Sequence, residues 1–251
     1  MSRPSRTEDA QIKVLLLDIE GTTTPVDFVY KTLFPYANRK VGSFLLEHFR
    51  DVEVQAVLAE LALQHQRDER EGCRPPARSQ GTEEALLRST IAYVHWLMAR
   101  DSKCTPLKAL QGKIWQMGYT NGELHGEVYA DVPPALARWR RQRREICIYS
   151  SGSVLAQQLL FRSTSAGDLT ADISAFYDTA IGPKMESASY RRIVDSRRRA
   201  PSEVLFISDT IKEIDAALLA GLQATLCVRE PVGTNDHSPR GTIRTFDEVM
   251  P

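Results

Sequence analysis

The sequence has no surplus of either charge: Lys+Arg and Asp+Glu each number 32, so the formal net charge is zero. Without a basic excess there is no electrostatic reason to expect nucleic acid or an anionic membrane as a partner. The local run Arg138, Arg140, Arg141, Arg143 and Arg144 reads as a solvated helix face. Cysteine is scarce. Cys73, Cys104, Cys147 and Cys227 are scattered without a C-x-x-C pair. Cys147 and Cys227 fall inside apolar, strand-like runs and read as small core residues of a protein in a reducing compartment. No apolar run approaches the length of a membrane span, and the opening MSRPSRTEDAQ lacks the apolar stretch of a secretory signal. The expectation is a cytoplasmic protein, or a nuclear one in a eukaryote, with no membrane partner. The familiar catalytic strings are missing too: there is no GxxxxGK[ST] and no HExxH. His48, His65, His95, His125 and His237 make no metal pair at helical spacing. Tyr149 stands where a nucleophile elbow before Ser151 would need glycine. There is no internal repeat.

What is present is an ordinary globular composition, 42% hydrophobic and 25% charged over 251 residues. That length suits one large domain, or a core domain carrying a smaller insertion. Val14–Leu17 is a short continuous apolar run ending in Asp18-Ile19-Glu20-Gly21-Thr22, the signature of a parallel strand buried on both faces and running into a loop. Ile146–Tyr149 repeats it and ends in Ser150-Ser151-Gly152-Ser153. Val204–Ile207 does so again, ending in Ser208-Asp209. Leu226–Val228 is a weaker copy, and Thr179–Ile181 reads as a short edge strand. Helical patterns lie between: Pro133–Arg144, Val154–Phe161 behind the N-cap candidate Ser153, Ser189–Arg198, and Lys212–Ala220 stopped by Gly221. Alternating strands and helices predict an α/β fold, a doubly wound, Rossmann-like parallel sheet. The segment 28–126 differs. It shows no strand run, and Val54, Val57, Leu58 and Leu61, like Leu87, Ile91, Val94 and Met98, have helical spacing. It reads as a helical insertion, with 1–27 and 127–251 forming the α/β core. Trp96 and Trp115, inside it, read as core residues.

Ligands of such sheets bind beyond the carboxyl ends of the strands. Asp18 and Glu20, Ser150 and Ser151, Asp209, and Lys184 after Gly182-Pro183 would therefore meet in one crevice. The set suits phosphate ester chemistry. A phosphate monoester repels an anionic nucleophile, and a magnesium ion held by Asp18 and Asp209 offsets that charge. Asp18 can form a covalent phosphoryl intermediate. Lys184 offers a compact positive charge, and the hydroxyls of Ser150 and Ser151 donate to phosphoryl oxygens. Glu20 can protonate the leaving oxygen and then activate water. Glu213 and Asp215 read equally as residues that orient Lys184 or as acids that only solvate the start of their helix.

Asp18-Ile19-Glu20-Gly21-Thr22 resembles the first signature of the haloacid-dehalogenase superfamily, Asp-x-Asp-x-Thr, with Ser150 or Ser151, Lys184 and Asp209 in order for the other three. Glu20 in place of the second Asp is a feature of one family, the enolase-phosphatases of methionine salvage. Leu15–Ala37, LQGKIWQMGYTNGEL (Leu110–Leu124), VYADVPPALARW (Val128–Trp139), IYSSGSVLAQQLLF (Ile148–Phe161) and IGPKMESASYRRI (Ile181–Ile193) resemble that family in register. The resemblance implies a cap domain at 28–126. It implies one Mg²⁺ per subunit, held by Asp18 and Asp209 side chains and the Glu20 backbone carbonyl, with the phosphate on Ser150, Ser151 and Lys184. The implied reaction enolises 2,3-diketo-5-methylthiopentyl 1-phosphate and then dephosphorylates it to the acireductone 1,2-dihydroxy-3-keto-5-methylthiopentene. The partner is a small-molecule phosphate ester, and the implied state is a monomer. The alternative is another magnesium-dependent phosphatase of the superfamily, acting on a different small phosphate monoester.

Overall fold

The structure is a computed structural model and describes residues 11–229 and 242–250; His237 and most of the amino-terminal stretch discussed above lie outside them. Contacts divide the chain into two compact units, one formed by the residues up to Val29 and from His125 onward, the other by Tyr30–Leu124.

The first unit is built on six parallel strands: β1 (Val14–Leu17), β2 (Glu145–Tyr149), β3 (Ala175–Tyr177), β4 (Val204–Ser208), β5 (Gln223–Cys227) and β6 (Thr242–Ile243), ordered β3-β2-β1-β4-β5-β6. β1 lies inside the sheet with both faces covered, which is why its run VLLL is apolar without alternation. The chain moves outward from β1 in both directions, so the carboxyl end of β1 sits at the point where the strand order reverses. Register fixes what gathers there. Leu17 pairs with Ile148 on one side and Ile207 on the other. Asp18 is therefore level with Tyr149 and Ser208, and Ser150 and Asp209 each project one residue further.

Helices α5 (Val132–Arg141), α6 (Val154–Arg162), α7 (Ser187–Arg197) and α8 (Ile211–Leu219) belong to this unit. Prolines occupy the first turn of α5, where no donor is lost, and α6 starts at Ser153, whose side chain accepts from Ala156 N at 3.3 Å. One sheet face packs Val14, Leu16, Cys147, Tyr149, Val204 and Phe206 against Tyr190, Ile193 and Val194 of α7 and Ile214 and Ala217 of α8. Tyr190 meets both Tyr149 and Phe206 edge-on, at centroid distances of 5.5 and 5.0 Å. Cys147 and Cys227 are fully buried, as read from the sequence.

The edge strand is a correction. Thr179–Ile181 is not a strand; β3 lies at Ala175–Tyr177. The Asp178 carboxylate accepts from Ala180 N at 2.9 Å, and Ile181 N and Gly182 N bond back to Asp178 O and Thr179 O. This Asx-type turn competes with extended pairing. β6, two residues long, adds a strand that the sequence did not announce.

The second unit is helical among its described residues. After a π-helical turn at Phe28–Leu33 come α1 (Phe34–His48), α2 (Val52–Arg70), α3 (Glu83–Ala99) and α4 (Thr105–Thr120). Val54, Leu61, Leu87 and Val94, four of the residues with helical spacing, are buried. Trp115 is buried and donates to Leu33 O at 2.9 Å, while Trp96 is half-buried beneath the Arg100 guanidinium. No helix among the described residues is long and apolar enough to cross a membrane.

Candidate active site

The loop leaving β1 is folded around one carbonyl. Thr22 N, Thr23 N and Thr24 N all donate to Ile19 O, at 3.1, 3.0 and 2.9 Å. Thr23 Oγ1 donates to Asp18 O at 3.0 Å, and Asp18 N extends the ladder to Ile207 O at 2.9 Å. These bonds hold the Asp18 side chain, almost wholly buried, at the strand end. Gly21 closes the turn with φ +71°, a left-handed conformation that glycine adopts without strain. A Cβ at this position would fall 2.8 Å from Asp209 Cγ and nearer still to Oδ2. The bare Cα of Gly21 thus makes room for the Asp209 carboxylate against the loop that follows Asp18.

Lys184 enters from the other side. Its Nζ lies 2.5 Å from Asp18 Oδ1 and 2.7 Å from Glu213 Oε2. The segment carrying it is strapped to the core: Tyr149 donates to Gly182 O, Ser189 to Pro183 O and Tyr190 to Lys184 O, each within 2.8 Å. Ser208 Oγ sits 3.0 Å from Asp18 Oδ2 and 2.9 Å from Glu213 Oε2, and accepts from Thr210 N. Having one proton, it donates to one carboxylate at a time.

Two carboxylates thus hold one ammonium, and the Asp209 carboxylate lies within reach of its charge. Burial opposes the charge of Lys184, yet Asp18 and Glu213 together hold its pKa above the ordinary lysine value, and it stays protonated. Burial and then the Asp18 charge push Glu213 up to about 7. The same two causes raise Asp209, whose carboxylate is crowded although the residue as a whole is solvent-accessible. The Asp18 charge thus opposes that of Asp209, and Lys184 offsets only part of the effect; a divalent cation would relieve the rest. Among the described residues no three His, Cys, Asp or Glu side chains close on one point. Magnesium needs no such cluster: it takes one or two carboxylates and fills its octahedron with water, carbonyl and phosphate oxygens. The donor set here, the Asp18 and Asp209 carboxylates beside one ammonium, meets that requirement.

The remaining sequence candidates divide. Ser150 is buried at the end of β2, and its Oγ accepts from Gly152 N at 3.2 Å. Ser151 follows, half-buried, just ahead of α6. Glu20 is half-buried and bridges to Thr24 across the loop. Of the two acids on α8, Glu213 meets Lys184, while Asp215, two residues further and so on another face of the helix, is half-buried. Ser208 was missed; its signal was a small polar residue ending a strand that is otherwise apolar and buried.

The haloacid dehalogenase-like hydrolase family matches residues 12–221. The chain is similar to the enolase-phosphatase E1 of Synechococcus elongatus, 47% identical over 238 residues, covering 95% of this chain and 98% of that protein. It is similar to that of Sorangium cellulosum, 43% identical over 239 residues, covering 95% and 97%. Among solved structures it resembles the UTR4 protein of Saccharomyces cerevisiae, with a TM-score of 0.76 and 32% identity over 94% of this chain and 99% of that one.

Proposed function

Because the chain belongs to the haloacid dehalogenase-like hydrolases, and within them to the enolase-phosphatase family, we propose an assignment of its residues to the enolase-phosphatase reaction. That reaction turns 2,3-diketo-5-methylthiopentyl 1-phosphate into its enol and then removes the phosphate, leaving the acireductone 1,2-dihydroxy-3-keto-5-methylthiopentene. The observation that carries the assignment is the cluster of Asp18, Lys184 and Glu213, with Asp209 seated against Gly21.

In this proposal an Asp18 carboxylate oxygen attacks phosphorus, and the bond from phosphorus to the substrate's ester oxygen breaks. Glu20 protonates the departing oxygen. It then takes a proton from water, which attacks the phosphoryl-aspartate and regenerates Asp18 with release of phosphate. Lys184 and the hydroxyls of Ser150 and Ser151 bind the phosphoryl oxygens, where they meet the charge as it redistributes. Glu213 and Ser208 hold Lys184 and Asp18 in place, which keeps the nucleophile from rotating away. One magnesium ion per subunit, held by Asp18, Asp209 and the Glu20 carbonyl, would offset the phosphate charge and polarise substrate oxygens. The helical unit Tyr30–Leu124 takes the part of the cap domain, and the protein acts as a cytoplasmic monomer.

The test is to incubate the diketone phosphate with the protein, with and without Mg²⁺, following enol absorbance and inorganic phosphate together. Both signals, enol first and both lost on chelation, are expected. Phosphate release without an enol or acireductone signal would mean a plain phosphatase on this fold. Activity that survives chelation would overturn the role given to magnesium.

A further inference from the structure

Beyond the residues of that assignment, we propose that Arg229 is a positioning residue for the reaction, a clamp that fixes the loop following the nucleophile through the carbonyl of Thr22. The inference rests on the reading of Asp18 and its loop as the catalytic centre. Arg229 stands two residues past the end of β5, far from Asp18 in sequence, and no motif marks it. Its side chain is nevertheless almost wholly buried, which for an arginine demands a full set of partners.

Every nitrogen of the guanidinium is used. Nε and Nη2 both donate to Thr22 O, at 2.9 and 2.6 Å. Nη1 donates to Asp131 Oδ2 at 2.6 Å and to Arg244 O at 3.3 Å. The guanidinium also lies over two rings, its central carbon 4.3 Å from the Tyr129 centroid and 4.7 Å from that of Phe246. Tyr129 also donates its backbone N–H to Thr23 O at 3.0 Å. The carbonyls of Thr22 and Thr23, consecutive in the loop, are thus gripped from outside it. Asp131 in turn accepts from Phe246 N at 2.6 Å, which binds the carboxyl-terminal segment into the same cradle.

The placement points to chemistry as well as stability. Gly21, whose Cα faces the Asp209 carboxylate, is the neighbour of Thr22, and Glu20 is one residue further. A loop of this kind relies on its internal bonds to Ile19 O, and these alone permit it to pivot as a unit. Two donors on Thr22 O and one on Thr23 O remove that pivot. Only a planar fork can give two bonds to one carbonyl while holding a carboxylate on its third nitrogen; a lysine ammonium has neither the fork nor a flat face to set over the rings.

The test is Arg229→Lys, read in three ways: thermal unfolding, steady-state kinetics on the diketone phosphate, and amide hydrogen exchange of residues 21–24 in the free protein. The expected result is a folded protein whose kcat falls about 10- to 100-fold while KM changes less than about threefold, because a small displacement of a catalytic group is felt in the chemical step. Amide exchange at 21–24 should rise by about tenfold or more, with the sheet strands unchanged. If Arg229→Lys does not fold, Asp131→Asn gives a milder version: it keeps the guanidinium and removes its charged partner, and the same kcat and exchange changes are expected in reduced degree. Unchanged kcat and unchanged exchange at 21–24 in a folded variant would overturn the proposal. So would a fall in kcat that only tracks the unfolded fraction. Faster exchange in a protein whose wild type shows no enol signal would leave the clamp standing and remove the proposed reaction instead.

Discussion

Replacing Gly21 by alanine separates what the loop needs for folding from what it needs for chemistry. Gly21 holds φ at +71°, and an alanine there pays the left-handed penalty of about 1–2 kcal/mol. For a chain of this size that lowers Tm by about 2–8 °C, taking roughly 2–4 °C per kcal/mol. The steric conflict is of another kind. The new methyl would fall 2.8 Å from Asp209 Cγ. An ordinary carbon contact lies near 3.5–4.0 Å, so the carboxylate must retreat by roughly 1 Å. The retreating group is the far end of a side chain on a solvent-accessible residue, so the move adds little to the folding cost. It does carry a proposed metal ligand off position, and a displacement of roughly 1 Å can cost about 10²-fold in rate. The expected outcome for Gly21→Ala is a folded protein with modestly lower Tm, a kcat reduced about 100-fold, and weaker Mg²⁺ binding by titration calorimetry. A variant that loses the Tm but keeps kcat within threefold would refute the claim that Asp209 must sit against this backbone.

Three further outcomes follow from the geometry. Glu213→Gln removes one of the two anions holding Lys184, and kcat is expected to fall about tenfold through misplacement of that ammonium, with KM for the phosphate ester rising; unchanged kinetics would deny Glu213 its positioning role. Ser153→Ala deletes the cap of α6 and should cost about 1 kcal/mol in urea unfolding, with kcat nearly intact, because the phosphate is assigned to Ser150 and Ser151 instead. Burial works against the charge of Glu145, but hydrogen bonds from Arg199 and Arg197 prevail and hold its pKa below the ordinary glutamate value of 4.5. A folded pKa below the unfolded one means the stabilisation is complete above pH 4.5 and is lost as pH falls through the lower folded value. Glu145→Gln should therefore flatten the acid limb of a stability-versus-pH curve below pH 4.5, and an unaltered limb would show that the pair contributes nothing.

The central strands were legible because burial on both faces leaves an unbroken apolar run, as in Val14–Leu17 and Val204–Ile207. The edge was not. Ala175–Tyr177 is three residues long and only half-buried, so no periodicity could mark it, while Ala180 and Ile181 mimic a strand but obey the Asp178 turn. The site was legible where chemistry clusters at strand ends: Asp18, Lys184 and Asp209 need only the topology to bring them together. Glu213 and Asp215 could not be separated by sequence, because both lie on the amino-terminal half of one helix, and only the rotation of α8 decides which reaches Lys184. Arg229 left no signal at all. Its partners are backbone carbonyls and rings scattered over the chain, and a carbonyl carries no sequence identity.

The account stands most directly on the nucleophile. Quenching the protein during turnover of a phosphate ester in the presence of Mg²⁺, reducing any acyl phosphate with borohydride and mapping the peptides by mass is the decisive measurement. The prediction is conversion of Asp18 to homoserine, absent from Asp18→Asn and from protein quenched without substrate. Rapid turnover with residue 18 unmodified, or the same modification at another carboxylate, would contradict it.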